Sequence, residues 1–454
     1  MTRIVFIGAS YNWVPRLATD LMAAFDEPLE LRFLDLNPEA ARVCTEWAEA
    51  ASRQRGRSDR AAPFTDRRQA LEGADAVLIT ISTGGLAAME YDIAIPERYG
   101  VFATVGDTTG PGGWSRAIRN IPVFRGLAED LASVCPHAFV ANYTNPLAAT
   151  TATLQQICPN PVVGLCHAFF EMKDVIQGIF GLEDWGPISI AVAGMNHFTW
   201  VVDFRIGREQ GYPLTRCKVA GRSLRAVLPQ GSADDIGIYS GHELCAELFD
   251  AFGYLPYPAD RHTSEFVSFV LIGSPPRGLL DVGEAEPVET MEYCHVKRTS
   301  VAQRRSWLPG LTERMREMIA GTRPFPQPSR ETGSRMIRAY LHNEPFVDVV
   351  NALNVGQVPG LPEGACVETL GVVDGLGVRP LAVGLVPEHL LELMRPQAVA
   401  QKWITAGALA GDREQLLQAL YRDPQCAHLK PHEVRQMADE LFEANRPFLR
   451  LPAA

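Results

Sequence analysis

The segment RIVFIGAS, residues 3–10, gives the clearest indication of the fold. Its apolar residues 4–7 predict a buried strand, and its last three residues predict a tight turn into a helix over 12–24. A second predicted strand, over 29–34, ends in Asp35. Such a turn brings backbone N–H groups and a helix N-terminus to a pyrophosphate, and the acidic residue takes a ribose hydroxyl. The stretch therefore indicates a dinucleotide-binding βαβ unit.

The turn departs from the full G-x-G-x-x-G pattern, so a simple strand-to-helix connection stays open as the alternative. If the unit binds a dinucleotide, Asp35 favours NAD over NADP, because a carboxylate repels a 2′-phosphate. A second flexible turn follows the predicted strand over 76–82. We predict that the cofactor is held by residues of these turns and by the acidic residue: Gly8, Ala9, Ser10, Asp35, Thr83 and Gly84.

Strand and helix alternate over about the first 195 residues. The further elements are a helix over 38–55, a strand over 76–82, a helix over 115–134, a strand over 138–143, a helix over 147–157 and a strand over 161–165. This alternation predicts a Rossmann-type α/β fold, a doubly wound parallel sheet with its loops at one edge. Beyond residue 200 the alternation is lost. We expect an NAD-binding domain, 1–197, and a mixed α+β substrate and oligomerisation domain, 198–454, as in lactate and malate dehydrogenases.

The composition is that of an ordinary globular protein of 454 residues, with 46% apolar and 21% charged residues. The net charge of −11 argues against a nucleic-acid or anionic-membrane partner. No apolar run approaches the roughly 20 residues that span a bilayer, and no signal-peptide pattern opens the chain, so we expect a cytoplasmic protein. The nine cysteines are scattered without C-x-x-C spacing, as is typical of reduced, mostly buried thiols.

Two loops at the predicted sheet edge have the composition of ligand-binding loops. The loop 106–113 holds four glycines in eight residues, which lets backbone approach a ligand closely, and Arg116 and Arg119 follow it. Its alternative is a mobile surface turn. The loop 144–146 closes a strand and contains Asn145 before a proline. The same residues suit the capped start of a helix, and both interpretations can hold together.

Cys166 and His197 are candidate metal ligands. Cys166 follows the predicted strand over 161–165, and His197 follows the apolar run 192–195. A thiol and an imidazole brought together from two strand ends could hold one divalent metal. Two alternatives stay open. The residues are buried core groups, or they form a nucleophilic pair with Cys166 as the thiolate and His197 as the base.

A set of motifs then occurs in order along most of the chain. They are residues 3–10, 33–35, 95–100, 105–113, 142–146, 164–167, 194–200, 260–266 and 354–362. In these motifs the chain resembles family 4 glycoside hydrolases, the NAD- and metal-dependent glycosidases. It is most similar to the α-galacturonidase branch, through 105–108, 196–200 and 259–262. Its cofactor turn departs from the family's G-x-G-S by being one residue short.

The resemblance implies a redox-assisted elimination rather than hydrolysis by a pair of carboxylates. NAD takes a hydride from C3 of the sugar, a base removes the acidified C2 proton, and the glycosidic oxygen leaves from C1. Water then adds, and the hydride is returned, so NAD is not consumed. Mn²⁺ or another divalent ion acts as the Lewis acid at the oxygens of C2 and C3.

The resemblance also implies roles for single residues. Cys166 and His197 match the family's two protein ligands to the metal. Asn145 matches an asparagine that contacts the sugar hydroxyls and the nicotinamide side, so it counts as both a substrate and a cofactor residue.

Asp260 matches the catalytic base of α-configured members. Its alternative is an ion pair with Arg261 or His262, in which two basic neighbours would lower the pKa of the carboxylate.

His167 implies the substrate class, because the family's members that act on unphosphorylated α-glycosides and uronides carry a histidine there, whereas the phosphosugar branches carry Asp or Asn. A uronate carboxylate would need a cation, and Arg98, Arg119 and Arg261 are the candidates. We assign these three arginines and His167 to the substrate.

We therefore predict an NAD- and Mn²⁺-dependent α-galacturonidase that releases galacturonate from small oligosaccharides, as a homodimer or homotetramer. The first alternatives are an α-glucuronidase, α-glucosidase or α-galactosidase with the same machinery. A plain NAD-dependent 2-hydroxyacid dehydrogenase has the same kind of fold and belongs to another class of enzyme. A non-catalytic NAD-binding regulator is the last alternative, and the intact metal ligands together with Asp260 argue against it.

Overall fold

A computed structural model gives the fold of residues 1–166, 168–228, 242–272, 278–280 and 288–449. The strands are β1 (Thr2–Ile7), β2 (Leu29–Leu34), β3 (Arg60–Phe64), β4 (Ala76–Ile79), β5 (Phe139–Asn142), β6 (Val162–Gly164), β7 (Ile188–Met195), β8 (Phe198–Ile206), β9 (Glu209–Gln210), β10 (Gly278–Leu280), β11 (Val288–Thr290), β12 (Lys297–Arg298), β13 (Phe346–Leu353), β14 (Cys366–Asp374) and β15 (Gly377–Pro380).

The helices are α1 (Trp13–Ala24), α2 (Pro38–Gln54), α3 (Arg67–Leu71), α4 (Gly85–Glu97), α5 (Gly110–Val134), α6 (Leu147–Ile157), α7 (Ala168–Phe180), α8 (Gly211–Val219), α9 (Glu243–Phe252), α10 (Asp260–Thr263), α11 (Ser268–Leu271), α12 (Val301–Ala320), α13 (Gly333–His342), α14 (Glu388–Ala410), α15 (Arg413–Tyr421) and α16 (Pro431–Asn445).

One 12-stranded sheet organises the described part of the chain, in the order β3-β2-β1-β4-β5-β6-β13-β14-β7-β8-β9 with β15 beside β14. The strands from β3 to β6 pair in parallel, which confirms the predicted Rossmann-type half. From β6 onward the pairs are antiparallel. The sheet therefore joins the two predicted domains, and residue 197 lies in the turn between the paired strands β7 and β8. The domain boundary there stays a prediction.

The first strand shows why this sheet is buried on both faces. Ile4 and Phe6 belong to the core cluster that includes residues of α1 and α2, whereas Val5 and Ile7 belong to the cluster that includes residues of α5. Successive side chains of a strand point to opposite faces, so helices on both faces require a continuous apolar run. All four side chains are buried.

A row of paired residues crosses the sheet where its two halves meet. Gly164 of β6 pairs with Asn351 of β13, Asn351 pairs with Glu368 of β14, and Glu368 pairs with Gly194 of β7. Cys166 comes two residues after one end of this row. The β7–β8 turn comes directly after the other end, so the row brings both segments to the same level of the sheet.

Strands β3 (Arg60–Phe64) and β13 (Phe346–Leu353) lack the sequence signal of the predicted strands, and neither was predicted. The first is an edge strand with no buried residue, so it lacks the apolar run that marks a central strand. In β13 a buried Asp348 and Asn351 interrupt the apolar pattern.

Helix α5 begins at Gly110 rather than at residue 115, so half of the predicted glycine-rich loop is the first turn of a helix. The glycines there are required by close backbone packing. A Cβ on Gly113 would lie 2.4 Å from the carbonyl carbon of Thr108, and one on Gly112 would lie 2.8 Å from the oxygen of Gly106. The loop 104–109 thus folds back onto its own helix. No described helix is long and apolar enough to cross a membrane.

Candidate active site

The turn after β1 has the geometry of a dinucleotide-binding turn. The amide of Gly8 donates to the oxygen of Leu34, 2.9 Å away, which ties the turn to the end of β2. Gly8 has a φ of 101°, and a Cβ on it would lie 2.8 Å from the oxygen of Thr80. The turn therefore packs against the end of β4, and only glycine fits there.

Asp35 contacts this turn directly. Its Oδ2 accepts a hydrogen bond of 2.8 Å from the amide of Ala9, and its Oδ1 accepts one of 2.8 Å from the amide of Asn37. Ser10 accepts a bond of 3.3 Å from the amide of Trp13 at the start of α1. The acidic residue, the turn and the helix N-terminus thus lie together, as the sequence pattern requires.

The second turn, after β4, is held by α5. The amide of Thr83 donates to Oδ1 of Asn120 at 3.3 Å, and Nε of Arg119 donates to the oxygen of Thr83 at 2.8 Å. Gly84 follows with a φ of 78° and occupies the N-cap position of α4. Because β1 and β4 are parallel neighbours, the two turns lie at one edge of the sheet.

Two of the three predicted substrate arginines have other partners. Arg119 has no exposed surface, and it forms a buried ion pair with both carboxylate oxygens of Asp92. Arg98 is exposed at the end of α4 and pairs with Glu440. These contacts revise the interpretation of both residues: Arg119 joins α5 to α4, and Arg98 makes a surface ion pair.

The loop after Thr104 presents Asp107 and Thr108. Nδ2 of Asn145 lies 3.3 Å from Oδ2 of Asp107, and the oxygen of Asn145 accepts a hydrogen bond of 3.0 Å from Nε of Arg116. Burial alone would raise the pKa of Asp107, but Arg116 and His197 outweigh it and hold the pKa below its ordinary value. Asn145 thus connects the end of β5 to an ionised carboxylate.

A buried carboxylate holds this loop in place from the other side. Oε1 of Glu265 accepts hydrogen bonds from the amides of Val105 at 2.7 Å and Gly106 at 2.8 Å, and from Oγ1 of Thr104 at 3.1 Å. Burial raises the pKa of Glu265 to about 7. The residue joins the segment 260–266 to the loop that carries Asp107.

Asp107, His197 and His262 form a group whose ligand atoms all lie within 4.8 Å of one another. The rings of His197 and His262 stack with centroids 3.8 Å apart. His197 occupies the β7–β8 turn with a φ of 68°. Cys166 is half-buried after β6 and lies outside this three-residue group.

The hydroxyl of Thr108 determines which nitrogen of His197 carries a proton. Its Oγ1 lies 2.8 Å from Oδ1 of Asp107 and 2.8 Å from Nδ1 of His197. An ionised carboxylate only accepts, so the hydroxyl donates to Asp107 and accepts from Nδ1–H of His197. Nε2 is then the nitrogen that can coordinate a cation.

One carboxylate oxygen and two imidazole nitrogens suit a divalent ion of the Mn²⁺ class. The described residues at this site therefore fit a divalent metal on their own chemistry, and a thiolate from Cys166 would be a softer addition to the set. Sequence reasoning missed Asp107 and His262 as candidate ligands. Both belong to motifs named in the sequence analysis, but sequence spacing does not show that the loop of Asp107 meets the short helix of His262.

Asp260 is fully buried, and its two oxygens accept hydrogen bonds of 3.0 Å from the amides of Leu244 and Cys245. It thereby caps the N-terminus of α9. Burial raises its pKa to about 8. The alternative expectation, a pKa lowered by Arg261 or His262, is wrong, because desolvation outweighs the backbone hydrogen bonds that lower the pKa. His167 lies outside the described residues.

Fold and site together define a class of protein: an α/β protein with a dinucleotide-type turn and a candidate metal cluster. Residues 3–182 match the description "Family 4 glycosyl hydrolase", and residues 192–426 match "Family 4 glycosyl hydrolase C-terminal domain". The chain belongs to family 4 of the glycosyl hydrolases, which makes it a glycosidase and confirms the resemblance seen in its motifs.

Two relatives cover nearly the whole chain. An alpha-galacturonidase of Thermoanaerobacter italicus is 29% identical over 99% of this chain and 97% of its own length. An alpha-galactosidase of Bacillus subtilis is 30% identical over 99% of each chain. The relatives therefore agree on the family and differ in the sugar.

Solved structures give the same result for the fold. A putative glucosidase, lplD, from Bacillus subtilis superposes with a TM-score of 0.84 at 26% identity, over 97% of this chain and 99% of its own. A 6-phospho-alpha-glucosidase from gut microorganisms, in complex with NAD and Mn²⁺, superposes with a TM-score of 0.78 at 17% identity, over 99% of each chain. Malate dehydrogenase from Plasmodium falciparum has a TM-score of 0.54 at 12% identity, over 91% of this chain and 100% of its own, and the expected dehydrogenase-like fold is confirmed.

Proposed function

We propose that this glycosidase is an NAD- and divalent-metal-dependent enzyme that cleaves α-galacturonides. The observation that carries the proposal is the contact between Asn145 and Asp107. Asn145 lies at the sheet edge that carries the two cofactor-type turns, and Asp107 belongs to the candidate metal cluster. The contact therefore joins the two parts of the site. The alpha-galacturonidase relative of Thermoanaerobacter italicus supports the sugar. The alpha-galactosidase relative of Bacillus subtilis makes a neutral galactoside the second candidate.

The cofactor would be held at the turns after β1 and β4 and at the end of β2, by Gly8, Ala9, Ser10, Asp35, Thr83 and Gly84. The metal would be held by His197 with Asp107, His262 and Cys166. When bound, NAD would supply reversible hydride acceptance at C3 of the sugar, and the ion would supply Lewis acidity at the sugar oxygens. The 6-phospho-alpha-glucosidase bound to NAD and Mn²⁺ supports this pair of cofactors.

The chain's own residues have distinct tasks in this proposal. Thr108 fixes the tautomer of His197, and Asn145 orients the sugar hydroxyls beside Asp107. Asp260 is the proposed base for the C2 proton, and its pKa of about 8 gives it enough basicity for that step. This role requires the first turn of α9 to release one of its oxygens, because both accept backbone hydrogen bonds.

The preference for a carboxylate at C6 rests on two residues from the sequence prediction. His167 favours an unphosphorylated sugar, and Arg261 is the predicted substrate arginine that lies beside the cluster, on the same short helix as His262. Arg98 and Arg119 are left out, because each already has a carboxylate partner. A cytoplasmic location and a homodimeric or homotetrameric assembly remain predictions.

A panel of p-nitrophenyl α-glycosides tests the proposal. The enzyme is assayed with NAD, Mn²⁺ and a reductant on α-galacturonide, α-glucuronide, α-galactoside and α-glucoside. We expect the highest kcat/KM for the α-galacturonide. A higher value for the α-galactoside would assign the sugar of the Bacillus subtilis relative instead.

A further inference from the structure

The first turn of α12 carries a half-buried cation, Arg304, that no sequence motif marked. The amide of Thr299 donates to the oxygen of Thr104 at 3.3 Å, which fixes the start of α12 beside the loop of Asp107. Ser300 caps the helix by accepting from the amide of Gln303 at 3.1 Å. Arg304 lies one turn further on, and its amide donates to the oxygen of Ser300 at 3.1 Å.

The guanidinium of Arg304 has two buried donors without a partner. Nε and Nη2 are shielded from solvent, and neither makes a hydrogen bond within the described part of the chain. Buried donors are nearly always paired in native proteins, so these two unpaired donors indicate that a bound ligand supplies their acceptor. Nε and Nη2 lie on one side of the guanidinium, and that side is the fork that binds a carboxylate through two parallel hydrogen bonds.

The charged groups around Arg304 carry an excess of positive charge, which favours binding of an anion. Burial and the neighbouring cations Arg261 and Arg116 lower the pKa of Arg304 to about 10, against the opposing influence of Asp107 and Glu265. Of these two carboxyls, Asp107 also lies beside Arg116 and His197. Glu265 has a pKa raised to about 7, so its negative charge is only partly present near neutral pH. One further negative group would offset part of the excess positive charge of the three guanidinium groups.

We propose that Arg304 binds the C6 carboxylate of the substrate through Nε and Nη2, beside Arg261, and so selects a uronide over a neutral glycoside. This inference rests on the proposed function, since it names the residue that reads the acidic sugar. The fork geometry favours a planar carboxylate. A 6-phosphate has the same charge sign, and the test separates the two anions.

The test compares Arg304→Gln and Arg304→Lys with the wild type and with Arg305→Gln. Arg305 is the next residue of the same helix, but it is exposed and pairs with Glu90, so it is a matched control. For each protein, kcat/KM is measured on p-nitrophenyl α-galacturonide and α-galactoside. Thermal shifts are measured with galacturonate, galactose and galactose 6-phosphate.

We expect Arg304→Gln to lower kcat/KM for the galacturonide by about 100-fold or more, mainly through KM, with less than about threefold change for the galactoside. Arg304→Lys should recover part of the loss, because it restores a charge without the fork. The thermal shift with galacturonate should disappear in Arg304→Gln. Arg305→Gln should behave as the wild type.

The outcomes separate the two proposals. If the wild type prefers the galacturonide and Arg304→Gln keeps that preference, the role of Arg304 is wrong and the proposed function stands. If Arg304→Gln weakens both substrates equally, the residue is structural and the inference is again wrong. If the wild type prefers the neutral galactoside, or binds galactose 6-phosphate more tightly than galacturonate, the proposed substrate fails and the inference fails with it. If Arg304→Gln does not fold, the substrate ratio of Arg304→Lys decides.

Discussion

The hydroxyl of Thr108 lies 2.8 Å from Nδ1 of His197. The same oxygen lies 2.8 Å from a carboxylate oxygen of Asp107, so one side chain connects two members of the proposed metal site. Groups that bond to the second nitrogen of a ligating histidine fix its tautomer and its orientation. The contact therefore makes a prediction about metal affinity that does not depend on catalysis.

Thr108→Val removes the hydroxyl and keeps the shape of the side chain. We expect Mn²⁺ affinity to fall by about 10- to 100-fold, because Nδ1 of His197 loses its acceptor. Titration of the protein with Mn²⁺, followed by electron paramagnetic resonance, measures this affinity directly. Thr109→Val is the matched control, since Thr109 donates to Oε1 of Gln397 instead. Equal affinity in the wild type and Thr108→Val would contradict the assignment of the tautomer.

Cys166→Ser tests the thiolate as a ligand. A serine hydroxyl stays protonated near neutral pH, so we expect weaker Mn²⁺ binding and loss of Mn²⁺-dependent activity in a folded protein. The exposed Cys217 on α8 gives the control variant Cys217→Ser, which should keep both. Full activity and unchanged affinity in Cys166→Ser would leave Asp107, His197 and His262 as the ligand set.

The variant Asp260→Asn distinguishes two roles of Asp260, the catalytic base and the cap of helix α9. As the base, Asp260 is needed for exchange of the C2 hydrogen with solvent deuterium, and we expect that rate to fall by about 10²- to 10⁴-fold. The amide cannot accept from both backbone N–H groups of α9, so we also expect a loss of about 1–2 kcal/mol in the free energy of unfolding.

Asp250→Asn serves as the control for this pair of measurements. Asp250 is exposed on the same helix and accepts from the amide of Leu224 at 2.9 Å, so its variant should exchange at the wild-type rate. Persistent exchange in Asp260→Asn, together with the loss of stability, would assign Asp260 to the cap alone.

Asp423 predicts a pH dependence of stability. It is buried and accepts hydrogen bonds from the amides of Gly110 and Gln425, and burial raises its pKa to about 7. An unfolded chain has an Asp pKa of about 3.9, so between these values the folded state binds the proton more tightly. The stability contributed by this group is therefore fully present below about pH 4 and is lost as pH rises through about 7.

Thermal unfolding between pH 5 and pH 8 measures this effect. Asp423→Asn keeps a neutral side chain at every pH, so its Tm should fall less over this range than that of the wild type. Asp412→Asn changes an exposed cap of α15 and should keep the wild-type slope. A wild-type slope in Asp423→Asn would show that this carboxyl is not protonated in the folded protein.

Much of this fold could be predicted from the sequence, because parallel strands that are buried on both faces appear in the sequence as continuous apolar runs. β1, β2 and β5 were predicted for this reason, and so was the acidic end of β2. The edge strand β3 has no such run, and its pairing depends on β2. In β13 the apolar run is interrupted by buried polar residues, so that strand was also not predicted.

The site was predictable only in part, because chain patterns do not show which loops meet. His197 was singled out as a polar residue after an apolar run. Asp107 lies in a loop and His262 in the short helix α10, far apart in sequence, and Glu265 joins the two segments through its bonds to the loop amides. Arg304 belongs to a charged helix that resembles any solvated helix in sequence. The hydrogen bond between Thr299 and Thr104, which ties the start of this helix to the loop of Asp107, is not visible in the sequence.

We propose that this chain cleaves a glycosidic bond through a hydride that is taken from the sugar and returned to it. The most direct test is the reaction of p-nitrophenyl α-galacturonide with NAD and Mn²⁺ in deuterated buffer. In the same reaction, p-nitrophenol, NADH and the deuterium at C2 of the sugar are measured. We expect p-nitrophenol release without net NADH, deuterium at C2 of the released sugar, and no reaction after removal of the metal. NADH formed in step with substrate consumption, without a metal and without exchange at C2, would contradict it and indicate a dehydrogenase.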